Sequence, residues 1–213
     1  MMNALPYDAQ RAFAPVSLLI RSAYGMGVHP AIPAQSIGAF IDLARAQPGR
    51  FGYATPGVGS GPHLAGELLK FMARIDLTHV PYRGSALAVQ DVVAGQVAMS
   101  IDSLDLIGPQ IRDGRIRGLA VTSTGEQPYL PGLPPVATAL PGYEVTVFNY
   151  LAMRAGTPDA IIQRLSRETR QIVQGPAFVE RNRELGTVAE GSTPEELGRV
   201  WREEYAKWRD VIT

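Results

Sequence analysis

Along this chain, apolar runs rich in β-branched residues alternate with stretches whose apolar positions recur at helical spacing. Residues 16–20 and 25–28 read as two short strands. Ser36 stands ahead of a stripe of Ile37, Phe40, Ile41 and Ala44, and Pro48-Gly49 closes it, in the order of cap, helix and stop. A strand over 51–54 follows, then a helix over 62–73 with Leu64, Leu68, Leu69 and Met72 facing inward. Strands at 77–80, 97–101 and 118–121 then take turns with helices at 85–94 and 104–112. This alternation predicts an α/β sandwich around a largely parallel sheet.

Past residue 121 the pattern changes. Pro128, Pro131, Pro134, Pro135 and Pro141, with Gly125, Gly132 and Gly142, predict a long ordered loop over 122–142 rather than an element. A strand over 145–153 follows, and Thr157-Pro158 opens a helix as a cap followed by proline. The last helix begins at Thr193-Pro194-Glu195-Glu196, a capping box, and carries Leu197, Val200, Trp201, Tyr205 and Trp208 on one stripe. Two tryptophans on one stripe require a partner surface. No internal repeat or low-complexity tract interrupts the chain.

Composition narrows the function classes. At 213 residues the chain suffices for one large domain or two small ones. Hydrophobic residues at 46% and charged residues at 19% suit a soluble globular protein. Twenty basic and twenty acidic residues cancel and no long basic run occurs, so no nucleic-acid partner is expected. The absence of cysteine excludes disulfides, thiolate metal sites and a cysteine nucleophile. No apolar run approaches the ~18 residues needed to cross a bilayer. Residues 1–8 carry neither a basic segment nor an apolar core and do not read as a signal peptide. His29, His63 and His79 show no helical metal-ligand spacing, so no metal is expected.

The chemistry concentrates in two strand-to-helix junctions, Gly57-Val58-Gly59-Ser60-Gly61-Pro62-His63 and Val80-Pro81-Tyr82-Arg83-Gly84. At such junctions free backbone N–H groups and the positive end of the helix dipole favour a carboxylate or phosphate. The first junction reads either as such a seat or as a plain turn capped by Ser60 or Gly61. A phosphate-cradling loop would need a lysine that is absent, and a dinucleotide fingerprint would need glycine where Pro62 stands. Val58 and Pro62 also occupy the glycine positions that a nucleophile elbow around Ser60 would require. A Ser60–His63–Asp102 triad rests on no motif. His79 reads as a satisfied core or edge histidine. Arg83, at the carboxyl end of a strand, suits a ligand carboxylate or else a surface ion pair. Asp102 lies on the same edge and would fix a loop or receive an amino group.

Together these residues resemble the tripartite tricarboxylate transporter substrate-binding receptors, the Bug family. The resemblance is carried by residues 56–68, by His79-Val80-Pro81-Tyr82 before Arg83-Gly84, and by residues 91–97, 117–123, 140–144, 155–158 and 206–208. It implies a type II periplasmic-binding-protein-like α/β fold that captures small carboxylates without catalysis or cofactor. Family ligands are di- and tricarboxylates and acidic amino acids, delivered to a membrane permease, and the implied location is the periplasm. Carried over residue by residue, the ligand contacts would be Gly57, Gly59, Ser60, His63, Pro81, Tyr82, Arg83, Gly84, Asp102 and Phe148. Arg83 stands where lysine is more usual in the family.

The resemblance further implies that the chain begins after the first third of a mature receptor. One complete lobe, residues 32–123, would then join a partial lobe built from residues 1–31 and 124–213. The second of these segments would hold the linker, a hinge strand and the C-terminal helices. A sheet lacking its leading strands exposes apolar faces, which should recruit a partner, dimerise or aggregate. Weak ligand binding is then expected. The alternative is a shortened, non-binding remnant that acts as a protein-interaction module.

Overall fold

The computed structural model describes residues 6–212, so the first five residues of the segment read above for a leader, and Thr213, lie outside the described residues. The chain forms two compact units. One comprises Met1–Arg21, Phe148–Arg183 and Thr187–Thr213, and the other comprises Ser22–Val147 with Glu184–Gly186.

The second of these units holds the two junctions. Its elements run β1 (Phe13–Val28, of which residues 22–28 belong here), α1 (Ile37–Ala46), β2 (Gly52–Thr55), α2 (Gly61–Ala73), β3 (Thr78–Pro81), α3 (Ser85–Val93), β4 (Met99–Ser103), α4 (Leu104–Arg112) and β5 (Arg117–Val121). The strand order is β3-β2-β4-β1-β5. β2 pairs parallel with both β3 and β4, whereas β1 runs antiparallel to β4 and β5, with Tyr24 opposite Ser103 and Gly25 opposite Val121. The sheet is therefore mixed, which corrects the largely parallel expectation. Strand–helix alternation reports only the β2-to-β5 repeats and not the direction of a strand inserted among them.

The two short strands expected near the N-terminus are one strand of sixteen residues. Arg21 and Ser22 break the apolar pattern, yet distant partners hold both in extended backbone. Arg21 makes a two-pronged ion pair with Glu190 at 2.8 Å, and the Ser22 hydroxyl reaches the Gly186 carbonyl.

Local signals set the helices. The Ser36 hydroxyl accepts from the Ala39 N–H, and α1 buries Ile37, Phe40, Ile41 and Ala44. On α2 the buried face is centred on Ala65, Gly66, Leu68, Leu69 and Ala73, while Leu64 and Met72 are half-buried. Gly66 draws that face toward β2, because a Cβ there would overlap the buried Tyr53 ring. Between α3, α4 and the sheet lies a core of Ala54, Ala88, Val89, Val92, Ile107 and Ile116. The proline-rich segment is ordered as expected but contains a 3-10 turn, Val136–Thr138, and pairs Pro135 with Val121.

The other unit carries β6 (Thr146–Arg154, from Phe148 onward), α5 (Asp159–Val173), α6 (Pro176–Glu184), β7 (Val188–Ala189) and α7 (Pro194–Ile212). β6 and β7 both pair with β1, β7 through Ile20–Ala189 and Arg21–Val188. Buried Ser17 and Ser192 lock β1 to the segment before α7 through three hydrogen bonds of 2.8–3.1 Å. Thr193 and Glu196 cap α7 reciprocally, as the capping box requires. Trp201 meets Tyr150 edge-on at 5.2 Å. At α5 the cap is Pro158, because the Thr157 hydroxyl turns back to the Arg154 carbonyl. α6 and β7 have no counterpart among the elements expected from sequence.

Candidate functional site: three helix N-termini at the ends of parallel strands

Because β2, β3 and β4 run in the same direction and each feeds a helix, the N-termini of α2, α3 and α4 gather at the carboxyl ends of these strands. Ligands of open α/β sheets sit at that end. The three termini are finished differently.

At α2 the turn is tightly cross-bonded. Gly57 takes φ 147° and Gly59 φ 78°, values that side-chain-bearing residues rarely adopt. The Ser60 hydroxyl donates to the Gly57 carbonyl at 2.7 Å and accepts from the His63 N–H at 3.3 Å. The Ser60 N–H also reaches the Gly57 carbonyl, and the Gly59 N–H donates to His63 Nδ1 at 3.1 Å. Pro62 has no N–H to offer. In the first turn this leaves the Gly61 N–H as the donor without an intrahelical acceptor. The His63 ring acts as an acceptor and not as a base for Ser60, so the Ser60–His63–Asp102 triad is not assembled.

His63 stacks on His79 with centroids 4.0 Å apart, and His79 in turn lies 5.0 Å from the Tyr53 ring. His79 Nε2 pairs with the buried Thr55 hydroxyl at 2.7 Å, so this edge-strand histidine is satisfied as expected. Burial, then the charge of His63, lower the His79 pKa. Tyr53 donates to Glu67 at 2.6 Å, and Lys70 pairs with the same carboxylate. Burial alone would raise the Glu67 pKa, but the hydrogen bonds from Tyr53 and Lys70 outweigh it and lower it. This polar layer braces the turn from beneath.

At α3 the cap is Gly84, φ 152°, and no side chain closes the end, so its first N–H groups stay open. Pro81 is exposed, and Tyr82 bonds the Thr55 carbonyl through its N–H and Asp91 through its hydroxyl at 2.6 Å. Arg83 is exposed and has no hydrogen bond or ion pair among the described residues.

At α4 no side chain caps the helix either. Asp102, only 1% exposed, accepts from the Ser103 N–H through Oδ1 at 2.8 Å, while its Oδ2 is buried without a partner. Burial pushes the Asp102 carboxyl up, against the pull of the hydrogen bond from the Ser103 N–H. Here Asp102 fixes the start of α4. Phe148 belongs to the other unit, where the Arg21 guanidinium lies 5.1 Å from its ring centre.

Sequence reasoning passed over Tyr24. Its backbone is held on both sides by Thr122, with the Tyr24 N–H donating to the hydroxyl at 2.9 Å and the Thr122 N–H donating back at 3.0 Å. Its phenol lies against Gly61, where a Cβ would overlap the hydroxyl. Only a contact across 37 residues reveals it, and no local motif does.

The family model described as "Tripartite tricarboxylate transporter family receptor" matches residues 1–213. The chain is 37% identical over 210 residues to the "UPF0065 protein in tcbD-tcbE intergenic region" of Pseudomonas sp. (strain P51), covering 98% of this chain and 62% of that one. It therefore spans less than two thirds of that relative's length. Among solved structures, "R. palustris Rpa4515 with adipate" superposes with a TM-score of 0.88 at 32% identity, over 99% of this chain and 71% of the other. "MatC (Rpa3494) from Rhodopseudomonas palustris with bound malate" gives 0.86 at 25% identity, over 100% and 74%.

Proposed function

This chain belongs to the tripartite tricarboxylate transporter receptor family, and on that premise we propose that it captures a small carboxylate at the three helix N-termini of the second unit. The observation that carries the reading is the convergence of open donors on one sheet edge. The Gly61 N–H and the uncapped first turns of α3 and α4 all start there, with Arg83, unpaired among the described residues, beside them. Such donors hold a carboxylate through charge-assisted hydrogen bonds and helix dipoles, and they move no proton. The role is capture and not catalysis.

Within this seat Gly57, Gly59, Ser60 and His63 shape the turn, since their own hydrogen bonds close it. Pro81, Tyr82 and Gly84 set the path of the second loop, and Arg83 supplies charge. The ligand class is a di- or tricarboxylate or an acidic amino acid, in keeping with relatives solved with adipate and malate. The working location is the periplasm and the downstream partner a membrane permease. No described helix is long and apolar enough to cross a membrane. The alternative of a non-binding interaction module draws no support from relatives that carry ligands and align along this whole chain.

A thermal-shift screen against mono-, di- and tricarboxylates and acidic amino acids tests the reading. A ligand at ~100 times its Kd should add ~2.7 kcal/mol of stability. A melting temperature unmoved by every member of the panel contradicts it.

A further inference from the structure

We infer that the Tyr24 hydroxyl is a ligand contact, donating a hydrogen bond to the carboxylate seated at the first N–H of α2. The inference rests on the receptor reading and deepens it by adding a neutral donor side chain to a seat made of backbone N–H groups and Arg83.

Three observations carry it. The phenol lies against Gly61, the first residue of α2, which is the residue that keeps an open N–H in that turn. Gly61 is not among the positive-φ glycines, so the backbone does not require glycine there. What demands the missing Cβ is the phenol. Chain and phenol are thus fitted to each other at the point where an anion would bind.

The hydroxyl itself is uncommitted. Among the described residues it makes no hydrogen bond, and it is not among the buried polar atoms cut off from solvent. It stands half-buried beside a helix N-terminus, in the field of the Asp102 carboxyl. Burial first, and Asp102 second, raise the phenol pKa to about 12, so it remains a donor under all physiological conditions. The two-way bonding of Tyr24 to Thr122 holds the strand that aims it.

Tyr24→Phe tests this with adipate and malate as probes, by calorimetric titration of the whole chain. The variant keeps the ring on Gly61 and loses no protein hydrogen bond, so its melting temperature without ligand should match the unaltered protein. Its affinity should fall ~10-fold or more, the scale of a hydrogen bond to a charged group. Equal or tighter binding by Tyr24→Phe, with the unaltered chain binding normally, overturns this inference alone. Failure of the unaltered chain to bind either probe or any other small carboxylate overturns the receptor reading and this inference with it.

Discussion

The imidazoles of His63 and His79 lie 4.0 Å apart, 30° from parallel, and the outer ring holds the turn that opens α2 through its bond from the Gly59 N–H. Two positive charges at that spacing repel, so a charge on His63 disfavours one on His79. The groups facing the pair are Glu67, Lys70, Tyr53 and the Thr55 hydroxyl.

The pH dependence of stability follows from His79. Its folded pKa lies below the ordinary value of 6.5, so the unfolded chain takes up a proton first as pH falls. The stabilisation is complete above about pH 6.5 and is lost on descending from there through the folded pKa. Urea melts at pH 7.5, 6.5 and 5.5 should show this loss, and His79→Gln should flatten it by up to one proton. Equal slopes in the two proteins would contradict the assignment.

Gly66→Ala should be costly. The new methyl would overlap the ring of Tyr53, which is itself fully buried and tied to Glu67. Overpacking of this kind costs ~1–3 kcal/mol. Denaturant titration reads it directly, and a neutral result would mean that α2 slides freely on β2.

Asp102→Asn should stabilise the chain near neutral pH. A carboxyl whose folded pKa is raised favours the protonated state, so it supports the fold at low pH and weakens it as pH rises through the folded value. The amide keeps an acceptor for the Ser103 N–H and carries no buried charge. A gain of 1 kcal/mol would raise the melting temperature by about 2–4 °C in a chain of this size. The gain should vanish on acidification, and a loss of stability at pH 7 would count against it.

Caps, turns and strand-to-helix alternation were legible because each depends on residues close in sequence. Ser36, Ser60 and the Thr193–Glu196 pair do what their positions foretell. Strand direction was not legible, nor was the continuity of β1, because Glu190 and Gly186 rescue Arg21 and Ser22 from more than 160 residues away. The same holds for the turn at Gly57–His63. Its glycines announce an unusual backbone, but only the fold reveals that the N–H groups of Gly59, Ser60 and His63 bond inside the turn. Tyr24 was invisible for the same reason, being a strand residue whose value lies in what it touches on α2.

Removal of the Ser60 hydroxyl should loosen the α2 seat. Ser60→Ala loses the cap to the His63 N–H and the bond to the Gly57 carbonyl. The expected cost is ~1 kcal/mol in stability, with weaker carboxylate binding. Arg83→Ala, by contrast, should leave stability unchanged and weaken binding about 2- to 5-fold, the scale of an exposed ion pair, while flattening its salt dependence.

The proposed carboxylate seat lies where α2, α3 and α4 begin. Titrating the 15N-labelled chain with adipate while following backbone amides tests it most directly. Saturable shifts at Gly61, Ser85 and Leu104, with α5 unmoved, are the predicted result. Saturable binding whose shifts leave those three amides untouched would contradict it.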